Sequence, residues 1–315
     1  MRKALVVGIN NYPTGPLKGC VNDANAIAGI LSTHSDGSPN FSVRLLTSSN
    51  DTIDRVLLRK SINTLFAGKC DIALLYFSGH GFIKNTGGYL VTTDAKQYDE
   101  GVSMDEILNI ANQSKIKDKV IILDCCHSGA AGTPSITGSS IAILSEGLSI
   151  LTASRDSESA MEINGSGIFT SLVVDALNGG AADLRGNITP GSIYAYVDEA
   201  LGVWDHRPIF KTNITHFTSL RNVAPPVLLE ILRKICDYFP LPEHEFALDP
   251  SYEFTSDKAI DSHVKILKHL QKFESVGLVR PIGEEHMYFA AMNSKACRLT
   301  AFGYQYWRLV KEGKI

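Results

Sequence analysis

Five short apolar runs, separated by stretches with helical periodicity, most constrain how this chain can fold. The runs are Ala4–Ile9, Phe41–Thr47, Asp71–Phe77, Lys119–Asp124 and Leu148–Ala153. Helical patterns fill Val21–Ser32, Thr52–Phe66 and Ser103–Gln113, with two more near Phe169–Asn178 and Ser192–Leu201. Short, largely apolar strands separated by amphipathic helices are covered on both faces. This predicts an α/β fold: a mostly parallel sheet with helices on both faces. Such sheets place their chemistry beyond the carboxyl ends of the strands, which directs attention to the residues after Phe77 and Asp124.

With 315 residues, the chain has room for two domains. The sequence places a boundary at Asn222–Pro226, where Ala224-Pro225-Pro226 breaks the pattern, giving domains 1–221 and 222–315. In the second, Leu228–Phe239, Ala259–Ser275 and Leu299–Glu312 read as helices, and Gly277–Pro281 and His286–Ala291 as short strands. That order predicts a small winged-helix-type α+β domain. Phe302, Tyr304, Tyr306 and Trp307 are expected on the core face of its last helix.

A formal charge of −3 argues against nucleic acid or a membrane surface as partner. The second domain is balanced as well, with 12 basic and 12 acidic residues, so a DNA-binding role for it lacks the positive charge that phosphate contacts require. No apolar run is long enough to span a membrane. The Met1-Arg2-Lys3 start leads into a run too short for a leader, with no small-residue cleavage site after it. The six cysteines are scattered and Cys125-Cys126 is vicinal, which does not describe a disulfide framework. The expected compartment is reducing, hence cytoplasmic.

Two polar clusters end two of the apolar runs: Ser78-Gly79-His80-Gly81 and Asp124-Cys125-Cys126-His127-Ser128-Gly129. A cysteine thiolate attacks a carbonyl carbon, and an imidazole returns the proton to the leaving amine. Amide groups in the glycine turns stabilise the oxyanion. On an extended segment Asp124 and Cys126 share a side and Cys125 faces the other way. Buried structural thiols are the competing reading of the pair. His127 is a rival base, badly placed to face a cysteine next to it in sequence.

Together these motifs resemble the caspase-like cysteine peptidases, in particular the metacaspase and bacterial branch. The resemblance extends over roughly residues 3–220, including Leu17-Lys18-Gly19-Cys20-Val21-Asn22-Asp23-Ala24 and Gly167-Ile168-Phe169-Thr170. In caspases the histidine precedes the cysteine by about 50 residues, as His80 precedes Cys126. The resemblance implies His80 as general acid/base and Cys126 as nucleophile, with the Gly81 and Cys126 amides as oxyanion hole. It also implies an acidic pocket for a basic substrate side chain, formed by Cys20, Asp23, Ser78 and Asp124. Two carboxylates facing one pocket repel unless a cation lies between them, and an arginine supplies one bidentately. Asp23 as a helix-start residue and Asp124 as a strand-end carboxylate are the plainer alternatives.

The reading is therefore a cysteine endopeptidase that cuts protein substrates after Arg or Lys, with a second domain that regulates it or recruits a partner protein. The alternative is a caspase-fold adaptor or pseudo-enzyme acting by protein binding. No cofactor or metal is expected. Cys125, Cys126 and His127 lack the second spaced pair of a zinc site. The calcium that many metacaspases bind would call on Asp94, Asp99 and Asp105, but the further acidic ligand expected after the cysteine motif is replaced by Ala130-Ala131-Gly132-Thr133-Pro134. If the second domain covers the active site, Arg185 and Arg221 are the basic residues expected to take a cut that releases it.

Overall fold

The computed structural model describes residues 1–84, 87–96, 99–125, 143–153, 162–163, 165–202 and 207–315. They form two compact units: residues 1–183 with 187–223, and residues 184–186 with 224–315.

The first unit opens with strand β1 (Arg2–Gly8), helix α1 (Cys20–Ser32), β2 (Ser42–Thr47), α2 (Arg55–Phe66) and β3 (Ile72–Ser78). A small antiparallel sheet follows, made of β4 (Gly81–Lys84), β5 (Gly87–Lys96) and β6 (Asp99–Ser103). Next come α3 (Met104–Gln113), β7 (Asp118–Asp124) and β8 (Leu148–Thr152). After the short pair β9 (Glu162–Ile163) and β10 (Ser166–Gly167) come α4 (Ile168–Asp175), β11 (Asn187–Ile188), α5 (Pro190–Leu201), β12 (Ile209–Asn213) and β13 (Arg221–Asn222).

The main sheet has the order β12-β8-β7-β3-β1-β2. All neighbours run parallel except the edge pair β12–β8. Every residue of β3 and β7 is buried, the reason their central stretches, residues 72–77 and 120–123, are apolar. Alternate residues serve alternate faces. Leu75, Phe77, Ile121, Leu123 and Cys125 pack with α2 and α3 residues such as Ile62 and Ile107. Leu74, Tyr76, Val120 and Ile122 pack with Ile27 of α1, Phe169 and Val173 of α4, and Val197 of α5. Each large apolar side chain buried this way contributes roughly 1.5–3 kcal/mol. The α/β architecture with both faces covered is as expected.

Helix α1 closes tightly on β1. A Cβ on Gly8 would lie 2.3 Å from the Cys20 carbonyl oxygen and 2.6 Å from Ala24 Cβ, so only glycine permits this approach. In the register, Ser78 is opposite Gly8 on one side and Asp124 on the other. The last residues of β1, β3 and β7 thus form one row at the carboxyl edge.

The second unit packs its own core around Leu232, Ile235, Phe239, Leu270, Phe273 and Leu278. Its elements are α6 (Leu229–Leu232), α7 (Ile235–Tyr238), β14 (Phe246–Ala247), α8 (Asp261–Ser275), β15 (Val279–Ile282), α9 (Met287–Met292), β16 (Ala296–Leu299) and α10 (Ala301–Lys311). Two expectations are corrected here. The segment expected as a second strand, His286–Ala291, is mostly helix α9, because Met287, Ala290 and Ala291 are buried with spacings of three and four residues. The antiparallel partner of β15 is β16, so a helix interrupts the two-stranded hairpin expected of a wing. The aromatic group of α10 is also split. Tyr306 and Trp307 pack against the core, whereas Phe302 and Tyr304, in the helix's first turn, are exposed and reach the core through ring contacts with Tyr306 and Trp307 one turn on. Among the described residues no helix is long and apolar enough to cross a membrane.

Candidate active site

His80 lies two residues beyond the end of β3, at the entrance to the β4–β6 sheet. Its main chain is pinned on both sides: the amide donates to the Tyr12 hydroxyl at 2.9 Å, and the carbonyl accepts from the Val91 amide at 3.0 Å. The Tyr12 and His80 rings are 4.6 Å apart, centroid to centroid. Imidazole Nε2 is 2.6 Å from the Gly15 carbonyl oxygen. A carbonyl only accepts, so Nε2 carries the hydrogen and the neutral ring keeps its lone pair on Nδ1. Nδ1 is then the basic atom. Burial holds the Tyr12 phenol well above its usual pKa, with smaller upward contributions from Cys20 and Cys125.

The loop that presents Gly15 is closed on itself by Asn10. The Asn10 carbonyl accepts from the Tyr12 and Leu17 amides. Its side chain donates to the Lys18 carbonyl and accepts from the Val21 amide, and Ser48 Oγ accepts from the Asn10 amide. Gly15 has a φ of +68°, a left-handed conformation that costs other residues roughly 1–2 kcal/mol. Neither Gly15 nor Tyr12 stands out in the sequence. The only local signal is a Gly within a turn-rich Asn-Asn-Tyr-Pro-Thr-Gly-Pro stretch.

The Gly79 amide donates to the Asp124 carbonyl at 3.3 Å, joining the end of β3 to the end of β7. The His80 motif and the cysteine motif therefore begin side by side. Cys125 is buried in the core on the α2–α3 side. Cys126 and His127 lie outside the described residues, as does the loop from Gly129 up to residue 142.

On the opposite side of the same edge, the expected pocket residues gather. Asp23 comes from the first turn of α1, Ser78 from the end of β3 and Asp124 from the end of β7. All three are buried, with 2%, 1% and 6% exposure. Ser78 Oγ donates to Asp23 Oδ2 at 3.3 Å. The Gly167 amide donates to both Asp23 oxygens, at 3.2 and 3.3 Å. A Cβ on Gly167 would lie 2.8 Å from Asp124 Oδ2 and 3.3 Å from Asp23 Oδ2. The two oxygens are therefore within about 6 Å of each other, the range where like charges disfavour ionisation. Burial first, and then the Asp124 charge, push the Asp23 carboxyl up to about 7, against the pull of its hydrogen bonds to Gly167 and Ser78. Such a pair is unfavourable when empty and favourable around a cation. Cys20 opens the same helix, one turn before Asp23, with its side chain near Tyr12.

Thr170, which stands out in the sequence only as the end of the Gly167-Ile168-Phe169-Thr170 motif, donates to Asp124 Oδ2 at 2.5 Å. Tyr76 in turn lies 2.6 Å from Thr170 Oγ1. Of the acidic residues considered for calcium, Asp94 is engaged by the Arg55 amide and the Thr92 hydroxyl through Oδ1. Asp105 sits in the first turn of α3, and the Asp99 side chain lies outside the described residues. Among the described residues, no group of three or more His, Cys, Asp or Glu side chains is arranged to hold a metal.

A caspase-domain family model matches residues 1–217. A solved structure of a Geobacter sulfurreducens protein resembles this chain with a TM-score of 0.50 at 17% identity, over 68% of this chain and 94% of that one. Caspase-1 of Spodoptera frugiperda resembles it with a TM-score of 0.50 at 13% identity, over 70% of this chain and 90% of that one. At these identities the two likenesses concern the fold. A search of curated proteins finds no match.

Proposed function

The chain belongs to the caspase-domain family, and from that premise we propose that it is a cysteine endopeptidase cleaving protein substrates after Arg or Lys. The observation that carries the reading is the pair of buried carboxylates, Asp23 and Asp124, beside the motif that bears His80. A cationic P1 side chain between them removes their repulsion and replaces the water both groups have lost.

In this reading the thiolate of Cys126 attacks the scissile carbonyl carbon. The C–N bond breaks as His80 gives its proton to the leaving amine. His80 then takes a proton from water, whose oxygen attacks the thioester and frees the acid. Gly15 holds the imidazole by Nε2, so Nδ1 is the atom that exchanges protons. The Gly81 and Cys126 amides are the oxyanion donors of this scheme. The second unit serves as the regulatory or partner-recruiting part, and its exposed Tyr288, Phe289, Phe302 and Tyr304 favour protein contacts.

The test is a set of fluorogenic peptides that differ only at P1. The expected result is cleavage of Arg and Lys peptides and little of Asp or Leu peptides. A preference for Asp at P1 would overturn the pocket. No cleavage of any peptide by full-length protein, together with capture of a partner that survives Cys126→Ala, would favour the adaptor reading.

A further inference from the structure

Tyr76 presents a chemical excess. It points into the apolar layer formed by Leu74, Ile122 and Phe169 and has no exposed surface. Phenylalanine would fill that volume equally well, so the hydroxyl needs a reason. A buried hydroxyl without a partner is destabilising. Here its geometric partner is Thr170 Oγ1 at 2.6 Å, and Ser78 lies beside the phenol as well. Thr170 is itself only 1% exposed and directs its proton to Asp124 Oδ2. Because that proton is committed to the carboxylate, the proton between Tyr76 and Thr170 comes from the phenol. The chain of donors runs in one direction, from Tyr76 through Thr170 to Asp124.

We propose that Tyr76 and Thr170 are specificity-determining positioning residues, a buried hydroxyl relay that fixes the plane of the Asp124 carboxylate and so favours Arg over Lys at P1. The inference rests on the reading of Asp23 and Asp124 as the P1 pocket. A guanidinium pairs with a carboxylate through two parallel N–H···O bonds, which requires the carboxylate plane to be set in advance. An ammonium is a point charge with rotatable donors and asks only for proximity. Thr170 is suited to hold that plane, because its β-branched side chain is stiff about χ1 and its backbone belongs to the first turn of α4. The phenol is a dependable donor. Burial, followed by the charges of Asp124 and Asp23, keeps its pKa well above the usual value, so it remains protonated wherever the enzyme works. The two arms of the pocket are thereby unequal. Asp23 is held by an amide and a serine, and Asp124 by a directed relay from inside the sheet.

The experiment compares Thr170→Val, Thr170→Ser and Tyr76→Phe in the full-length chain on otherwise identical peptides with Arg, Lys or Leu at P1. Losing a hydrogen bond to a charged group is worth about tenfold in binding. Thr170→Val is expected to raise KM for the Arg peptide by about that factor, to change the Lys peptide much less, and to leave kcat nearly intact. Thr170→Ser, which keeps the hydroxyl, should restore the Arg-to-Lys ratio. Tyr76→Phe should shift the ratio in the same direction by less, and it remains informative if Thr170→Val fails to fold. General loosening of the fold would lower activity on both peptides alike and would not be rescued by serine. If the wild type prefers basic P1 residues and Thr170→Val and Tyr76→Phe leave the Arg-to-Lys ratio unchanged, the relay is refuted while the pocket stands. A wild type without a preference for basic P1 would refute the pocket, and the relay with it.

Discussion

The two sides of the sheet's carboxyl edge are built by different means. On one side, His80 is held by main-chain atoms and one phenol: the Gly15 carbonyl, the Val91 amide and the Tyr12 hydroxyl. That side is partly open to solvent. On the other, Asp23 and Asp124 are held by hydroxyls and one amide at almost no exposure. Main-chain support fixes the orientation of a group without altering its charge. Desolvated support of like charges alters charge, and so ties ligand binding to pH. The first side should therefore appear in kcat and the second in KM.

The hardest test of that division is removal of the reacting groups. His80→Ala and Cys126→Ala should each lower kcat at least about 10³-fold, whereas Cys125→Ala should keep much of the activity because its side chain is in the core. Active-site titration with a peptide-aldehyde or chloromethyl-ketone probe would check this. Labelling at Cys125 instead of Cys126 would reverse the assignment of the nucleophile.

Next in size is the pocket. Asp124→Ala and Asp23→Ala each leave one carboxylate to receive the substrate cation in a desolvated site. Breaking a buried pair costs about 3–5 kcal/mol, which corresponds to a fall in kcat/KM for Arg peptides of roughly 10²–10⁴-fold. The residual activity on non-basic peptides should change little. An equal loss on all peptides would mean that the carboxylates support the fold and do not read P1.

The pH dependence of the two sides should also differ. Asp23 titrates near 7 in the folded protein, and a cationic side chain binds best when it is ionised. KM for Arg peptides should therefore fall as pH rises toward 7 and level off above it, and Asp23→Asn should flatten that profile. Stability moves the other way. Below the ordinary value of 3.8, Asp23 is protonated in both folded and unfolded chains. Between 3.8 and about 7 the folded chain keeps a proton that the unfolded chain has released. In that window the contribution to stability falls, by on the order of 1 kcal/mol per pH unit at most. Denaturant melts of wild type and Asp23→Asn from pH 4 to pH 8 would show whether that slope belongs to Asp23.

Gly15→Ala probes the His80 side more gently. A side chain at a φ of +68°, with its Cβ 3.4 Å from His80 Nε2, should displace the carbonyl that holds the ring. Strain of about 1–2 kcal/mol predicts a severalfold to tenfold loss in kcat with KM unchanged. A change confined to KM would place Gly15 in substrate binding instead.

These supports also mark what the sequence can and cannot reveal. The runs that form β1, β3 and β7 are legible because burial on both faces makes their central stretches, residues 4–7, 72–77 and 120–123, apolar without alternation. Residue parity then puts Asp124 on the face opposite Cys125. The β4–β6 sheet is not visible, since Gly81–Lys84 and Gly87–Lys96 mix glycines and charges without a clear period. Edge strand β12, Ile209–Asn213, is only half buried and carries a polar end. Asp23, Ser78 and Asp124 are reachable through family resemblance. The contacts of Tyr76, Thr170 and Gly15 are not, because each is made by hydrogen bonds to partners 46 to 94 residues away. No local pattern encodes such a partnership. Helix α9 reads as a strand because its aromatic residues mask three buried residues at helical spacing.

The smallest expected effect is none: the enzyme should not cut its own loop after the cysteine motif. Residues 129–147 contain no Lys or Arg, so a basic P1 pocket finds no site there. The far end of that stretch is also tied down. The Asn112 side chain donates to the Ile143 carbonyl and accepts from the Ser145 amide. Asn213 donates to the Leu144 carbonyl, and the buried Lys119 ammonium to the Glu146 carbonyl. The two basic residues near the unit boundary differ in the same respect. The Arg221 guanidinium is buried and donates to the Thr33 and Leu177 carbonyls, so cleavage after it requires local unfolding, whereas Arg185 is exposed. Incubation of active protein, followed by intact-mass analysis and N-terminal sequencing, should find residues 129–147 uncut. Any self-made nick near the boundary should follow Arg185 and not Arg221. A nick within 129–147 that disappears in Cys126→Ala would overturn both the uncut loop and the basic pocket, because the enzyme would then have accepted a residue that bears no positive charge.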